Sequence, residues 1–190
     1  MVTIYNNRKD YNSALIILNK SLDKLSKSPR LAELKFIKAE TVINKGDIND
    51  AYDVFVDIVQ NYNGNIFAEK SKIELGVIDL TAKRYDNAVI YFKSLSESRN
   101  DELGAKAQFY LGELYAEQVK YPEAVTAFVR VKTVFSAYDE WLTRSFLKLG
   151  DVYVEMKDYN KAREMFKVVL SKHKGDAYGK EAQIKLRTLK

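Results

Sequence analysis

The sequence of 190 residues contains no cysteine, one histidine and two prolines. Without cysteine the chain has no disulfide, no thiolate metal ligand and no cysteine nucleophile. The absence of cysteine is compatible with either the cytosol or the periplasm. With a single histidine, the chain has few residues from which a zinc site or a Ser-His catalytic pair could form. Because two prolines and eight glycines are too few for the many turns of an all-β chain, the composition favours helices.

Long hydrophobic runs are also lacking. No stretch reaches the roughly 18 to 20 apolar residues that a membrane-spanning helix requires, and the first twenty residues have neither the apolar centre nor the cleavage site of a signal peptide. The glycines are spread along the chain and form no phosphate-binding loop. We therefore predict no catalytic residues, no cofactor, no metal site and no transmembrane segment in this chain.

Charge is divided unevenly along the sequence, whose net charge is +5. Residues 1–30 carry six Lys and Arg against two Asp and Glu, residues 31–156 carry fifteen against twenty, and residues 157–190 carry ten against four. Basic ends can attract nucleic acid, but the lysines near the C-terminal end lack the interleaved aromatic residues that stack on bases. Solvated helix faces are the favoured interpretation, and nucleic-acid binding is a lesser alternative.

What the sequence does contain is a repeat. The pattern of an aromatic or apolar residue, two polar residues and alanine occurs five times at intervals of 37, 37, 36 and 38 residues, ending at Ala14, Ala51, Ala88, Ala124 and Ala162. A small residue precedes each of the last four alanines by twelve positions, and a phenylalanine follows by four: Ala39, Gly76, Gly112 and Gly150, then Phe55, Phe92, Phe128 and Phe166. Apolar residues at three-to-four spacing on both sides of the turn predict a helical hairpin in each unit.

A glycine inside a helix costs about 1 kcal/mol relative to alanine, so its recurrence predicts a packing role. We expect it to let the two helices of a hairpin approach closely, with the small alanine of the second helix opposite. The lone His173 lies in the polar segment SKHKGD and is expected to be a solvated residue at a helix end rather than a ligand.

A helix-turn-helix repeat with Leu-Gly in its first helix and Tyr-x-x-Ala at the start of its second resembles the tetratricopeptide repeat family over about residues 8–190. The period exceeds the family's 34 residues, and Lys35, Lys72 and Gln108 stand where the family has a large aromatic residue. This variant looks like the longer repeats of bacterial cell-envelope proteins, such as the periplasmic Tol-Pal-associated coordinator and the lipoproteins of outer-membrane assembly. The resemblance implies an all-α, right-handed superhelical solenoid of stacked helix-turn-helix hairpins, and a periplasmic or cell-envelope location.

The repeat predicts a single solenoid over residues 1–190, with an orphan second helix at 10–27 and a capping helix at 177–190. Four hairpins lie between them, at about 31–63, 67–100, 103–136 and 140–174. Because no first helix is expected before residue 10, we predict a C-terminal part of a longer repeat protein. Two alternatives stay open, namely that residues 1–8 cover the exposed face irregularly, or that a homo-oligomer buries it through the N-terminal helix.

The first helices of such hairpins line the concave face on which solenoids bind their partners. We predict a groove from the positions three before, one after and five after each glycine or its equivalent: Phe36, Glu40, Asn44, Ile73, Val77, Thr81, Phe109, Glu113, Glu117, Leu147, Asp151 and Glu155. The carboxylate clamp of some family members needs Lys and Asn at the first two of these positions, and none of the four repeats has them.

These residues predict a non-catalytic protein–protein interaction scaffold whose groove binds an extended peptide or an amphipathic helix with Lys or Arg beside apolar anchors. The alternative is a structural spacer or self-association module of a long cell-envelope repeat protein. The two hypotheses differ in what they require of Glu113, Glu117, Asp151 and Glu155. If salt bridges to neighbouring repeats occupy all four carboxylates, the scaffold hypothesis loses its main support.

Overall fold

The computed structural model describes residues 1–189. Over these residues the chain forms eleven α-helices and no strand. The helices are α1 (Val2–Asn7), α2 (Tyr11–Lys24), α3 (Leu31–Lys45), α4 (Ile48–Asn61), α5 (Ile66–Thr81), α6 (Tyr85–Ser98), α7 (Glu102–Glu117), α8 (Tyr121–Val134), α9 (Asp139–Glu155), α10 (Tyr159–Lys172) and α11 (Ala177–Thr188). The prediction of an all-α fold is confirmed.

The helices belong to two compact units, Met1–Ala88 and the chain from Val89 onward, with the boundary inside α6. In the first unit each of α1 to α5 packs against its neighbour in sequence. In the second unit the same holds for α7 to α11, and α7 also contacts α9 directly. Packing between successive helices thus forms hairpins, while the contact between α7 and α9 places two first helices side by side.

The same turn joins the two helices of every repeat. The residue five positions before each repeat alanine has a positive φ angle, between 59° and 105°; these residues are Lys9, Gly46, Lys83, Val119 and Lys157. In each turn this residue donates its backbone N–H to the carbonyl three residues back, and the next residue donates to the carbonyl five before itself, as Lys120 does to Tyr115 at 2.9 Å. These two bonds define the Schellman motif, which satisfies the last carbonyls of a helix. Main-chain hydrogen bonds therefore set the reversal even where glycine is absent.

The N-terminal segment differs from the expectation that no helix precedes residue 10. Residues 2–7 form α1, which packs against α2 and ends in the same left-handed turn at Lys9. The Asn6 side chain also donates a hydrogen bond to Thr41 Oγ1 on α3 at 3.0 Å. The end of α1 therefore occupies the place of the end of a first helix. Six residues are too few to show helical periodicity, so the sequence pattern missed it.

The recurring glycine faces a phenylalanine ring rather than the expected alanine. A Cβ atom added at Gly112 would lie 2.6 Å from Phe128 Cε1, and at Gly150 the nearest atoms belong to the ring of Phe166. Both rings are only 1% exposed. The missing side chain therefore makes room for the phenylalanine ring of the second helix, and the five repeat alanines are fully buried.

Candidate partner-binding surface

The first helices of the second unit each carry a stripe of polar side chains along one side. Residues at positions i, i+4, i+7 and i+11 lie on the same side of an α-helix. On α7 these are Lys106, Tyr110, Glu113 and Glu117, and on α9 they are Arg144, Lys148, Asp151 and Glu155. The corresponding positions on α11 are Glu181, Lys185 and Thr188. We call these three stripes together the first-helix face.

Ion pairs join the three stripes into one surface. Lys148 Nζ lies 2.7 Å from Glu113 Oε1, which connects α9 to α7. Lys185 Nζ lies 2.6 Å from Asp151 Oδ1, which connects α11 to α9. Burial acts to lower the pKa of Lys148, but its hydrogen bond to Glu113 and the nearby charge of Asp151 outweigh that effect, so the pKa is raised. The central part of the face is therefore an alternating ladder of charges that neutralise one another.

The positions predicted three before the glycine do not belong to this surface. Phe36, Ile73, Phe109 and Leu147 are at most 6% exposed. Their side chains form the core: the ring of Phe36 lies 5.5 Å from that of Phe55, and the ring of Phe109 lies 5.8 Å from that of Phe128. These four residues cannot line an open groove, because a partner could reach them only by separating packed helices.

The other eight predicted residues reach the surface. Glu40, Asn44, Thr81, Glu117 and Glu155 are exposed, and Val77, Glu113 and Asp151 are half-buried. Those on α3 and α5 lie in the first unit, whereas the four carboxylates of α7 and α9 lie together in the second unit. The second unit thus holds the acidic part of the predicted groove.

The four carboxylates divide into two kinds. Glu113 and Asp151 are occupied by ion pairs to neighbouring first helices, as a purely structural role would require. Glu117 and Glu155 are exposed and have no ion-pair partner among residues 1–189. Half of the predicted acidic set therefore stabilises the stacking of repeats, and the other half keeps its charge available to a partner.

Two clefts open beside the available carboxylates. A cleft of about 300 Å³ lies between α7 and α9 and is lined by Glu117, Glu155, Ala116 and Tyr121 among others. A second cleft of about 570 Å³ lies among α9, α10 and α11, with Glu155, Val154, Tyr159 and Leu189 in its walls. Each cleft combines a carboxylate with apolar or aromatic wall, which suits a side chain that has an apolar stem and a cationic end.

The opposite end of the first-helix face is cationic and aromatic. The guanidinium carbon of Arg144 lies 4.8 Å from the Trp141 ring centre and 4.9 Å from that of Phe109. Lys106 Nζ lies 6.0 Å from the same Trp141 ring, whose centre is 6.1 Å from that of Tyr110. Cations over aromatic faces at these distances are stabilised by the ring quadrupole.

Sequence reasoning missed this cationic end and the lysines of the ladder. Counting outward from the glycine selected the position three before it, which points into the core. The stripe itself was detectable, because Arg144, Lys148, Asp151 and Glu155 follow the same spacing as Lys106, Tyr110, Glu113 and Glu117. A search for polar residues at i, i+4, i+7 and i+11 would have found both ends.

His173 lies at a helix end as expected, since it is the C-cap residue of α10, but the expectation that its side chain is solvated is wrong. Its side chain is only 14% exposed, and its Nε2 atom lies 2.9 Å from Thr143 Oγ1 on α9. Its Nδ1 atom lies 2.6 Å from Asp176 Oδ2, and Asp176 caps α11. His173 therefore links three helices at the end of the second unit. Its distant contact with Thr143 could not be read from the polar segment around it.

No group of three or more His, Asp or Glu side chains within residues 1–189 is arranged to hold a metal ion. Over the same residues, no helix has the length and apolar character needed to cross a membrane. The first-helix face offers charge, hydrogen bonding and aromatic surface.

The chain belongs to the tetratricopeptide repeat-like family, whose domain model matches residues 23–190. Members of this family are generally non-catalytic and mediate protein–protein interactions. A comparison with curated proteins finds no significant match. The family assignment confirms the tetratricopeptide resemblance, whereas the cell-envelope subtype stays a prediction.

Several solved structures share the fold. BtubC (BKLC) from P. vanneervenii is 16% identical with a TM-score of 0.78, and the match covers 98% of this chain and 78% of that one. Nearly identical TPR-like repeats from Podosopora anserina are 16% identical with a TM-score of 0.71, covering 90% and 91%. MamA is 16% identical with a TM-score of 0.65, covering 98% and 95%. At these identities the likeness concerns the fold alone.

Proposed function

We propose that this chain is a protein-interaction scaffold whose second unit binds a peptide segment on the first-helix face. The segment carries Lys or Arg beside apolar residues. Its cation pairs with Glu117 or Glu155, and its apolar side chains enter the adjacent clefts. The location in the cell envelope stays a prediction from the sequence resemblance.

One observation carries this proposal, namely the contrast between paired and available carboxylates on the same surface. Lysines of neighbouring helices neutralise Glu113 and Asp151, so those side chains contribute to repeat stacking. Glu117 and Glu155 flank the cleft of about 300 Å³ without such a partner among residues 1–189. A like-charged pair beside a partly apolar cleft is complementary to a cationic side chain on an apolar stem.

A peptide-display selection tests the proposal. Random peptides are selected against the wild-type chain, and the enriched sequences are synthesised and titrated by fluorescence anisotropy. We expect Lys or Arg next to Leu, Ile, Val or Phe in the enriched set. We also expect the double variant Glu117→Lys/Glu155→Lys to lose binding, because reversing both charges turns attraction into repulsion.

The matched control is Asp53→Lys/Glu164→Lys. Both residues are exposed on second helices, two positions after a repeat alanine, so this variant has the same change in net charge away from the first-helix face. Circular dichroism checks that both variants retain their helices. If no peptide is enriched, or if the enriched peptides bind both double variants equally, the proposal is wrong, and the spacer or self-association alternative becomes the better account.

A further inference from the structure

On α7 and α9 the charges of the first-helix face are separated by sign along the helix axis, whereas on α11 Glu181 stands at the start of the stripe and lies 3.6 Å from Lys185. Arg144 lies at the start of the α9 stripe and Glu155 at its end, and α7 repeats the order from Lys106 to Glu117. Eleven residues at 1.5 Å each separate the two ends of a stripe by about 16 Å. Between them lies the ladder of Lys148 with Glu113 and Lys185 with Asp151, whose charges are mutually satisfied.

The cationic end is held in place by packing. The Arg144 guanidinium rests against the rings of Phe109 and Trp141, and the side chain is nevertheless 34% exposed. Its nearest carboxylate is Glu140 at 3.5 Å, itself 56% exposed, and such a solvated pair within one helix contributes little. The planar guanidinium can therefore bind a second carboxylate without losing a strong existing partner.

We infer that the segment bound by this face also carries an acidic residue, placed so that it reaches Arg144 when its basic residue reaches Glu155 or Glu117. This inference rests on the proposed function and specifies its partner. An extended chain advances about 3.3 Å per residue, so about five residues span the 16 Å between the two ends. The partner is thus an extended peptide with one acidic and one basic residue about five positions apart and apolar residues between them.

Charge complementarity at both ends makes the face selective for spacing as well as for composition. A peptide whose acidic and basic residues are adjacent can satisfy only one end at a time. It also places the second charge over the self-neutralised ladder, where it gains no net attraction. The spacing of the two charges therefore distinguishes a specific ligand from any peptide of the same net charge.

Three synthetic peptides test the inference on the full chain by fluorescence anisotropy. The first has glutamate at its third position, lysine at its eighth, and leucine and valine between them. The second has the same composition with glutamate next to lysine, and the third has glutamine in place of glutamate. We expect the first to bind about two- to fivefold more tightly than either of the others, as exposed ion pairs permit.

Variants at Arg144 assign the effect to the cationic end. Arg144→Gln should abolish the advantage of the first peptide over the third, whereas Arg144→Lys, which keeps the charge, should retain most of it. Both variants are checked for unchanged helicity and thermal midpoint, because Arg144 packs on two aromatic rings.

The outcomes separate the inference from the proposed function. If all three peptides bind equally to wild type and lose binding in Glu117→Lys/Glu155→Lys, the second charge has no role and only the inference is overturned. Equal loss of all three peptides in Arg144→Gln would also overturn it, because the arginine would then act on the fold or on the apolar contacts. If no peptide binds, the inference and the proposed function both fail.

Discussion

The close approach of Gly112 to Phe128 predicts that Gly112→Ala destabilises the protein. Helix propensity alone predicts the opposite, since alanine is favoured over glycine in the middle of a helix by about 1 kcal/mol. The new Cβ atom would lie 2.6 Å, 2.7 Å and 2.8 Å from three carbons of the Phe128 ring. Carbon atoms in ordinary contact are about 3.5 to 4.0 Å apart, so the ring would have to move by about 1 Å.

Phe128 has little room for that movement. It is 1% exposed and packs against the Phe109 ring and the buried Val131 and Phe135. Overpacking a well-filled core costs about 1 to 3 kcal/mol. The ring is buried but borders the cleft of about 300 Å³, so we take the middle of that range, subtract the gain in helix propensity, and expect a net loss of about 1 kcal/mol.

Urea unfolding followed by circular dichroism measures this loss, and a double-mutant cycle tests its cause. Phe128→Leu should be destabilising alone, but it should relieve the contact made by the alanine. The double variant should therefore be more stable than the sum of the two changes predicts, by about 0.5 kcal/mol or more. Gly175→Ala, in the connection between α10 and α11, controls for an added methyl group in open space, because nothing lies within 4 Å of its added Cβ. A Gly112→Ala protein as stable as wild type, or strictly additive changes, would refute the reasoning.

Two further predictions concern the turns and the helix caps. Val119 is 66% exposed and has a φ of 60°. Because a left-handed conformation costs a non-glycine residue about 1 to 2 kcal/mol, Val119→Gly should raise the midpoint of urea unfolding, and Gly46→Val should lower it. An unchanged or lower midpoint in Val119→Gly would contradict this prediction. The backbone N–H of Gly179 and the side chain of His173 lower the pKa of Asp176 below its ordinary 3.8. A lowered carboxyl pKa stabilises the fold above the unfolded-state value, and that contribution is lost as pH falls through the folded-state value. Thermal midpoints measured below pH 3.8 should therefore fall less steeply in Asp176→Asn, which still caps the helix. An equally steep fall in the variant would contradict the contribution of the lowered Asp176 pKa to stability.

The parts of the fold that could be predicted from the sequence are those that repeat. The alanine and phenylalanine columns identified the helix pairs because these positions are buried in every repeat, as Ala124 and Phe128 are. The direction in which a residue points around its helix was harder to predict from the sequence. Phe109 was therefore assigned to the groove although it lies in the core. Contacts between residues that are far apart in the sequence could not be predicted at all.

The candidate site illustrates this second limit. The carboxylates of Glu113 and Glu117 look equivalent in sequence, yet one is paired with Lys148 and the other is available. That difference depends on which side chain of the neighbouring helix lies within reach, and 35 residues separate the two members of the pair. Only the packing of α7 against α9 decides which charges remain for a partner.

The recurring Schellman turn has a consequence for how the number of hairpins can change. Val119 and Lys157 occupy the same position in successive turns, with nearly identical φ angles of 60° and 61°. Deleting residues 120–157 would join Val119 directly to Asp158 and so combine two halves of turns that have the same backbone geometry. Duplicating that segment would join Lys157 to Lys120 and combine two such halves as well. Because main-chain hydrogen bonds close the turn, neither junction needs a special residue. The architecture therefore allows whole hairpins to be gained or lost by unequal recombination between the DNA segments that encode the repeats, because the existing turn geometry is kept.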